Sequence, residues 1–166
     1  MTEKPSDITI SRYRPGDETG IVALIVSIQT LEFGVATSAE KQPDLFDIPN
    51  FYQTGAGEFW VARHGADIVG TIAMKDIGGG QAALRKMFVA AAFRGRDHAV
   101  AARLLATLVQ AARAARMSDI YLGTIDMFHA ARRFYEKNGF VEVAPADLPQ
   151  TFPRMAVDNM FYRLKL

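Results

Sequence analysis

Apolar positions along the chain follow two periods. Residues 8–14, ITISRYR, put Ile8 and Ile10 on one face, as a strand does. Pro15-Gly16-Asp17 then turns the chain. Over 18–32, Ile21, Leu24, Ile25, Ile28 and Leu31 recur at helical spacing, which predicts a helix. Residues 33–57 show neither period. Pro43, Pro49, Gly55 and Gly57 punctuate them, and short helical turns are expected. EFWVARH (58–64) and DIVGTIAMKD (67–76) read as two strands of a hairpin turning at His64-Gly65-Ala66. After Gly78-Gly79-Gly80, AALRKMFV (82–89) is a further strand.

A long helix is predicted over about 97–116, with Val100, Leu104, Leu108 and Ala112 inward and Arg103, Thr107, Gln110 and Arg113 outward. IYLGTI (120–125) is a continuous apolar run, the pattern of a strand buried on both faces. Asp126 suits the cap of a second helix over about 127–138. Asn138-Gly139-Phe140 suits its end, with glycine left-handed and Phe140 folding back. FVEV and NMFYRLKL supply the last strands. The order is β-α-(α)-β-β-β-α-β-α-β-β, a mixed α/β chain. An antiparallel meander precedes one β-α-β crossover, which makes strands 82–89 and 119–125 parallel.

Composition narrows the chemistry. The chain has 166 residues, 49% hydrophobic and 22% charged, which fits one domain, residues 1–166, with a full-sized core. A net charge of +1, with no basic stripe interleaved with aromatics, argues against nucleic-acid binding. With no cysteine, disulfides, thiolate metal sites and Cys nucleophiles are excluded. His64, His98 and His129 do not form a metal-binding spacing, so no metal site is expected. The polar N-terminus MTEKPSD and the lack of a long apolar run point to the cytoplasm and away from a membrane.

The loop Phe93-Arg94-Gly95-Arg96-Asp97-His98-Ala99 joins the strand at 82–89 to the long helix. A helix N-terminus exposes unpaired N–H groups and the positive end of a dipole. Gly95 permits close approach, Arg94 and Arg96 add charge, and the amides of Arg96, Asp97, His98 and Ala99 form a candidate phosphate cradle. A polar turn with solvated arginines explains the same residues. The parallel crossover favours the cradle, because open α/β sheets bind ligands beyond the carboxyl ends of their strands.

Two segments, LRKMFVAAAFRGRDHAVAARLL and IYLGTIDMFHAARRFYEKNGFVEV, resemble the GNAT superfamily of acyl-CoA-dependent N-acetyltransferases. The Phe-Tyr-Glu-Lys-x-Gly-Phe ending is the more telling part, and the element order agrees from about residue 6 to 166. Two positions depart from the family pattern. Asp97 stands where the loop's second glycine is usual, in a position to cap the helix instead. His129 stands where many members carry Asn.

The resemblance implies parallel central strands that splay apart and admit the pantetheine arm of acetyl-CoA. It assigns the peptide groups of Met87, Phe88 and Val89 to that arm, one N–H polarising the acetyl oxygen. It places Tyr135 beside the departing thiolate. A free phenol titrates near ~10 and a thiol near ~8.5, so hydrogen bonding to the thiolate suits the tyrosine better than proton transfer. A packed helix tyrosine is the plainer alternative.

The implied reaction moves acetyl from acetyl-CoA to a small-molecule or peptide primary amine by direct attack in a ternary complex. Homodimers are common among such enzymes. The family's carboxylate on the fourth strand has no counterpart in QAALRKMFV. Glu32, Asp76, Asp158 or a water chain are candidates for the base. The missing carboxylate also leaves open a non-catalytic CoA-binding or sensory module. Phe33, Phe46, Phe51 and Tyr52 could shape an apolar acceptor pocket, or pack beneath the long loop.

Overall fold

The computed structural model describes residues 7–95 and 99–166. Among the described residues, seven strands form one mixed sheet in the order β1-β2-β3-β4-β5-β7-β6. β1 (Ile8–Arg12), β2 (Glu58–His64), β3 (Asp67–Asp76) and β4 (Gln81–Val89) are successive antiparallel neighbours. β5 (Asp119–Thr124) runs parallel to β4, and β7 (Met160–Lys165) runs antiparallel to β5. β6 (Val141–Val143) closes the edge against β7. The mixed α/β topology is the expected one.

Helices cover both faces. α3 (Val100–Ala114) buries Val100, Leu104, Leu108 and Ala112, as its spacing predicts, and Leu105 joins them. Each large side chain taken out of water there contributes about 1.5–3 kcal/mol. On the other face, α1 (Glu18–Ser27) and α2 (Ile48–Phe51) set Ile21, Ile25 and Ile48 against Phe59, Val61 and Ala73. With both faces covered, residues Val69 to Met74 of β3 are all buried, so no alternation survives there. Among the described residues no helix is long and apolar enough to cross a membrane.

Three local expectations are corrected. The helix predicted from 97 begins at Val100, and Ala99, left-handed at φ 50, occupies the position before its first turn. Leu31 shares the helical spacing of 18–32 but is 82% exposed. From Ile28 to Glu32 the chain winds as a π-helix, Phe33 N–H reaching the Ile28 carbonyl at 3.1 Å. The wider turn rotates later residues off the apolar stripe. Asp126 does not cap α4 (His129–Lys137), whose N-cap position is Phe128. Its backbone N–H instead donates to Asn159 Oδ1 (2.8 Å), and its carboxylate accepts from Asn159 Nδ2 (3.2 Å).

The end of α4 follows its sequence closely. Gly139 is left-handed at φ 94. Gly139 N–H donates to Glu136 O and Phe140 N–H to Tyr135 O, the doubly bonded helix ending that glycine permits. Phe140 folds back, its ring edge-on to Tyr135 at 5.6 Å.

Candidate active site

β4 and β5 are paired only at Gln81–Asp119, Ala82–Ile120 and Ala83–Tyr121. Beyond Ala83 they part, and a cleft of about 250 Å³ opens between them. Leu84 to Phe88 form one wall and Leu122 to Ile125 the other. Phe128, Ala131 and Tyr135 of the α4 region line a third side. Phe152, Pro153, Met155, Val157 and Asp158, before β7, and Gln29, Phe33 and Val35, after α1, complete it.

A β-bulge shapes the β4 wall. Thr71 faces Phe88 while Ala73 faces Arg85, so Lys86 and Met87 share one partner residue on β3. Lys86 takes φ 55, uncommon for a residue with a side chain. Three contacts hold it there. Buried Thr71 donates its hydroxyl to the Lys86 carbonyl at 2.7 Å. Lys86 Nζ reaches Gln42 Oε1 at 2.6 Å and lies 3.6 Å from Asp44. Asp44 also accepts from the buried Tyr52 hydroxyl at 2.5 Å. Burial pulls the Lys86 ammonium below the ordinary lysine range, although the Asp44 charge opposes the shift. This network fastens segment 42–52, with α2 inside it, to β4. Met87 and Phe88 pack partly buried against the cores on opposite faces of the sheet. On the β5 side, the β4 backbone past Ala83 has no strand partner.

Tyr135 projects from α4 into the cleft and is buried, 7% exposed. Its ring stacks edge-on with Phe134 and Phe140 and lies tilted to Tyr162. No described residue hydrogen-bonds its hydroxyl, although buried hydroxyls ordinarily find partners. Burial, and next the Asp158 charge, push its pKa up, so it stays protonated as a hydrogen-bond donor.

The three carboxylates proposed as bases now separate. Glu32 pairs with Arg94 at 2.6 Å, and that hydrogen bond holds its pKa down. Asp76 accepts from the Ala56 and Gly78 N–H groups, which lower its pKa likewise. Asp158 alone of the three lines the cleft. Burial raises its pKa, against the opposing charge of Arg85. A carboxylate tied to donors is a weak base; one left partly desolvated is a stronger base.

On the loop after β4, Arg94 Nε donates to the Val89 carbonyl at 2.8 Å and its guanidinium is paired with Glu32. Gly95 is exposed at φ 104 with open space where a side chain would stand. Ala99 N–H donates to Gly95 O at 3.3 Å. Arg96, Asp97 and His98 lie outside the described residues. Among the four aromatics proposed for an acceptor pocket, Phe33 lines the cleft. Phe46 is exposed, while Phe51 and Tyr52 belong to the α1–α2 core.

The bulge and the Lys86 network were not anticipated. Nothing local in LRKM marks a left-handed lysine, and its partners Gln42 and Asp44 lie 44 and 42 residues earlier in the chain. Arg85, for which the strand pattern suggested no role, proves to be a cleft residue.

The central parallel strands part around a cleft into which buried Tyr135 projects, and comparison with known proteins identifies the fold. The acetyltransferase (GNAT) domain family matches residues 55–142. Over 102 residues the chain is 31% identical to N-acetyltransferase family 8 member 2 of Rattus norvegicus, covering 60% of this chain and 45% of that protein. It thus spans less than half the length of that curated relative. A GNAT-family acetyltransferase from Staphylococcus aureus Mu50 superposes with a TM-score of 0.90 at 36% identity, covering 95% of this chain and 98% of that one. A PaiA N-acetyltransferase from Thermoplasma acidophilum, crystallised with coenzyme A, shares the fold with a TM-score of 0.74 at 14% identity, covering 96% and 99%. The chain belongs to the GNAT superfamily of N-acetyltransferases.

Proposed function

We propose that this protein, acting as one cytoplasmic N-acetyltransferase unit, moves the acetyl group of acetyl-CoA to a primary amine by direct attack. The observation that carries the proposal is the gap between β4 and β5 with the unpartnered Tyr135 hydroxyl at its side. Acetyl-CoA supplies a thioester carbonyl and a thiolate leaving group. The free β4 edge at Met87, Phe88 and Val89 binds the pantetheine amides as an added strand would, and one N–H there stabilises the carbonyl oxygen as charge develops. The loop amides at Gly95, Arg96, Asp97, His98 and Ala99, with the N-terminus of α3 and the charge of Arg94, take the pyrophosphate.

Asp158 removes one proton from the substrate ammonium, freeing the nitrogen lone pair. The C–N bond then forms and the C–S bond breaks. Tyr135 donates a hydrogen bond to the departing sulfur and keeps its own proton, because burial makes it a weaker acid than free phenol. The remaining proton on nitrogen leaves to solvent or to the thiolate. Asp158 supplies from the loop before β7 the carboxylate that β4 lacks, which favours an enzyme over a non-catalytic CoA-binding module.

Thiol release from acetyl-CoA against a panel of amines tests this reading, with Tyr135→Phe alongside. Wild type should turn over, and the variant should lose about 10²-fold in kcat, the effect of removing one oriented donor, at unchanged acetyl-CoA affinity. An unchanged kcat would reject the role of Tyr135. Coenzyme A binding without turnover on any amine would establish the module instead.

A further inference from the structure

Arg85 stands beside the bulge, half-buried, with its side chain lining the cleft that holds Tyr135 and Asp158. Its guanidinium contacts are weak or apolar. One nitrogen lies 3.5 Å from the thioether sulfur of Met155. The group sits 5.6 Å from the Phe51 ring centre and 6.0 Å from that of Tyr52. No described carboxylate is in ion-pair contact with it. Elsewhere such cations are matched: Arg63 pairs with Asp17 at 2.5 Å, Arg163 with Asp119 at 2.7 Å and Arg94 with Glu32 at 2.6 Å. Lys86, the next residue, is taken by Gln42 and Asp44. Of the two described cations that line the cleft, Arg85 is the one without an ion pair.

Asp158 faces the same cleft, and its charge and that of Arg85 influence one another without closing into a salt bridge. A negative and a positive group set apart in one cleft are complementary to a zwitterion. The guanidinium fork matches the two oxygens of a carboxylate. Apolar walls at Phe33, Phe152, Pro153 and Val157 suit an uncharged remainder.

We infer that the acceptor is an amine that also carries a carboxylate, an amino-acid-like zwitterion, and that Arg85 binds the carboxylate while Asp158 faces the ammonium. This rests on the acetyltransfer proposed above and names its substrate class. Polyamines, with no anion for Arg85 and extra positive charge, are disfavoured by the same group.

The test compares each of the common amino acids with its carboxamide and its decarboxylated amine, and includes spermidine. Thiol release is followed with wild type and with Arg85→Gln. Calorimetry of the same ligands on protein saturated with coenzyme A reads acceptor binding without turnover. For the best amino acid, wild type should favour the free carboxylate over the carboxamide by at least about thirtyfold, the loss typical of deleting one partner of a hydrogen-bonded ion pair. Arg85→Gln should reduce that preference to within about threefold, with acetyl-CoA affinity kept, and Arg85→Lys should fall between. Equal use or equal binding of carboxamides and simple amines by wild type would overturn the inference, as would full discrimination by Arg85→Gln. Turnover without carboxylate preference defeats this inference alone. Absence of coenzyme A binding defeats the acetyltransferase reading beneath it.

Discussion

Replacing Asp158 by Asn changes one atom and removes one charge at the centre of the proposed chemistry. Asp158 lies close over β5: a Cβ added at Gly123 would stand 2.5 Å from its Oδ2. Asn fills the same space but cannot take a proton from an ammonium. A positioned general base is worth about 10²–10⁴ in rate, or about 3–5 kcal/mol of barrier. Stability should move the other way. Burial raises the Asp158 pKa, so the folded chain holds that proton more tightly than the unfolded chain. The group's favourable contribution is therefore full below its unfolded pKa, near ~3.9, and is lost as pH rises through the raised folded value. At neutral pH the ionised carboxylate is a burden that Asn lacks, so the variant should melt at the same temperature or higher. The assay is initial-rate thiol release from pH 5 to 9 with parallel melts. Wild-type kcat/KM should climb as pH passes the raised pKa, and that limb should vanish in the variant. A variant within threefold of wild type refutes Asp158 as the base. Joint loss of rate and melting temperature would mark it as structural.

Two further outcomes probe the supports of the site. Lys86→Met should orphan Asp44, which is buried and left with Tyr52 alone, and breaking such a pair costs about 3–5 kcal/mol. At about 2–4 °C per kcal/mol for a chain this size, melting should fall by roughly 6–20 °C. Because Lys86 is itself penalised by burial, adding Asp44→Asn should restore much of the loss; a fall under 1 kcal/mol in the single variant contradicts the pair's burial. Gly123→Ala should force the Asp158 carboxylate outward and cut kcat while leaving acetyl-CoA affinity intact, and a normal kcat would show that the carboxylate's position does not matter.

Much of the fold follows from periodicity because α3 and α4 are amphipathic and locally encoded. Val100, Leu104, Leu108 and Ala112 declare the buried face of α3, and Asn138-Gly139-Phe140 declares the end of α4. The apolar run IYLGTI shows that β5 is covered on both sides. Features made by contacts distant in sequence are silent. The left-handed Lys86 carries no glycine to mark it, and its conformation is held by Thr71, Gln42 and Asp44 from other elements. Leu31 keeps a helical spacing that a π turn then breaks. Glu32, Asp76 and Asp158 are equivalent on paper. Their pairing with Arg94, with two backbone amides, and with nothing as strong distinguishes them only in three dimensions.

Crystals grown with coenzyme A would test the central proposal most directly. We expect the pantetheine arm in the gap beyond Ala83, beside Met87 to Val89, with its sulfur within hydrogen-bonding reach of the Tyr135 hydroxyl. A gap closed by contact between Leu84 and Leu122, or coenzyme A bound on another surface, would contradict it.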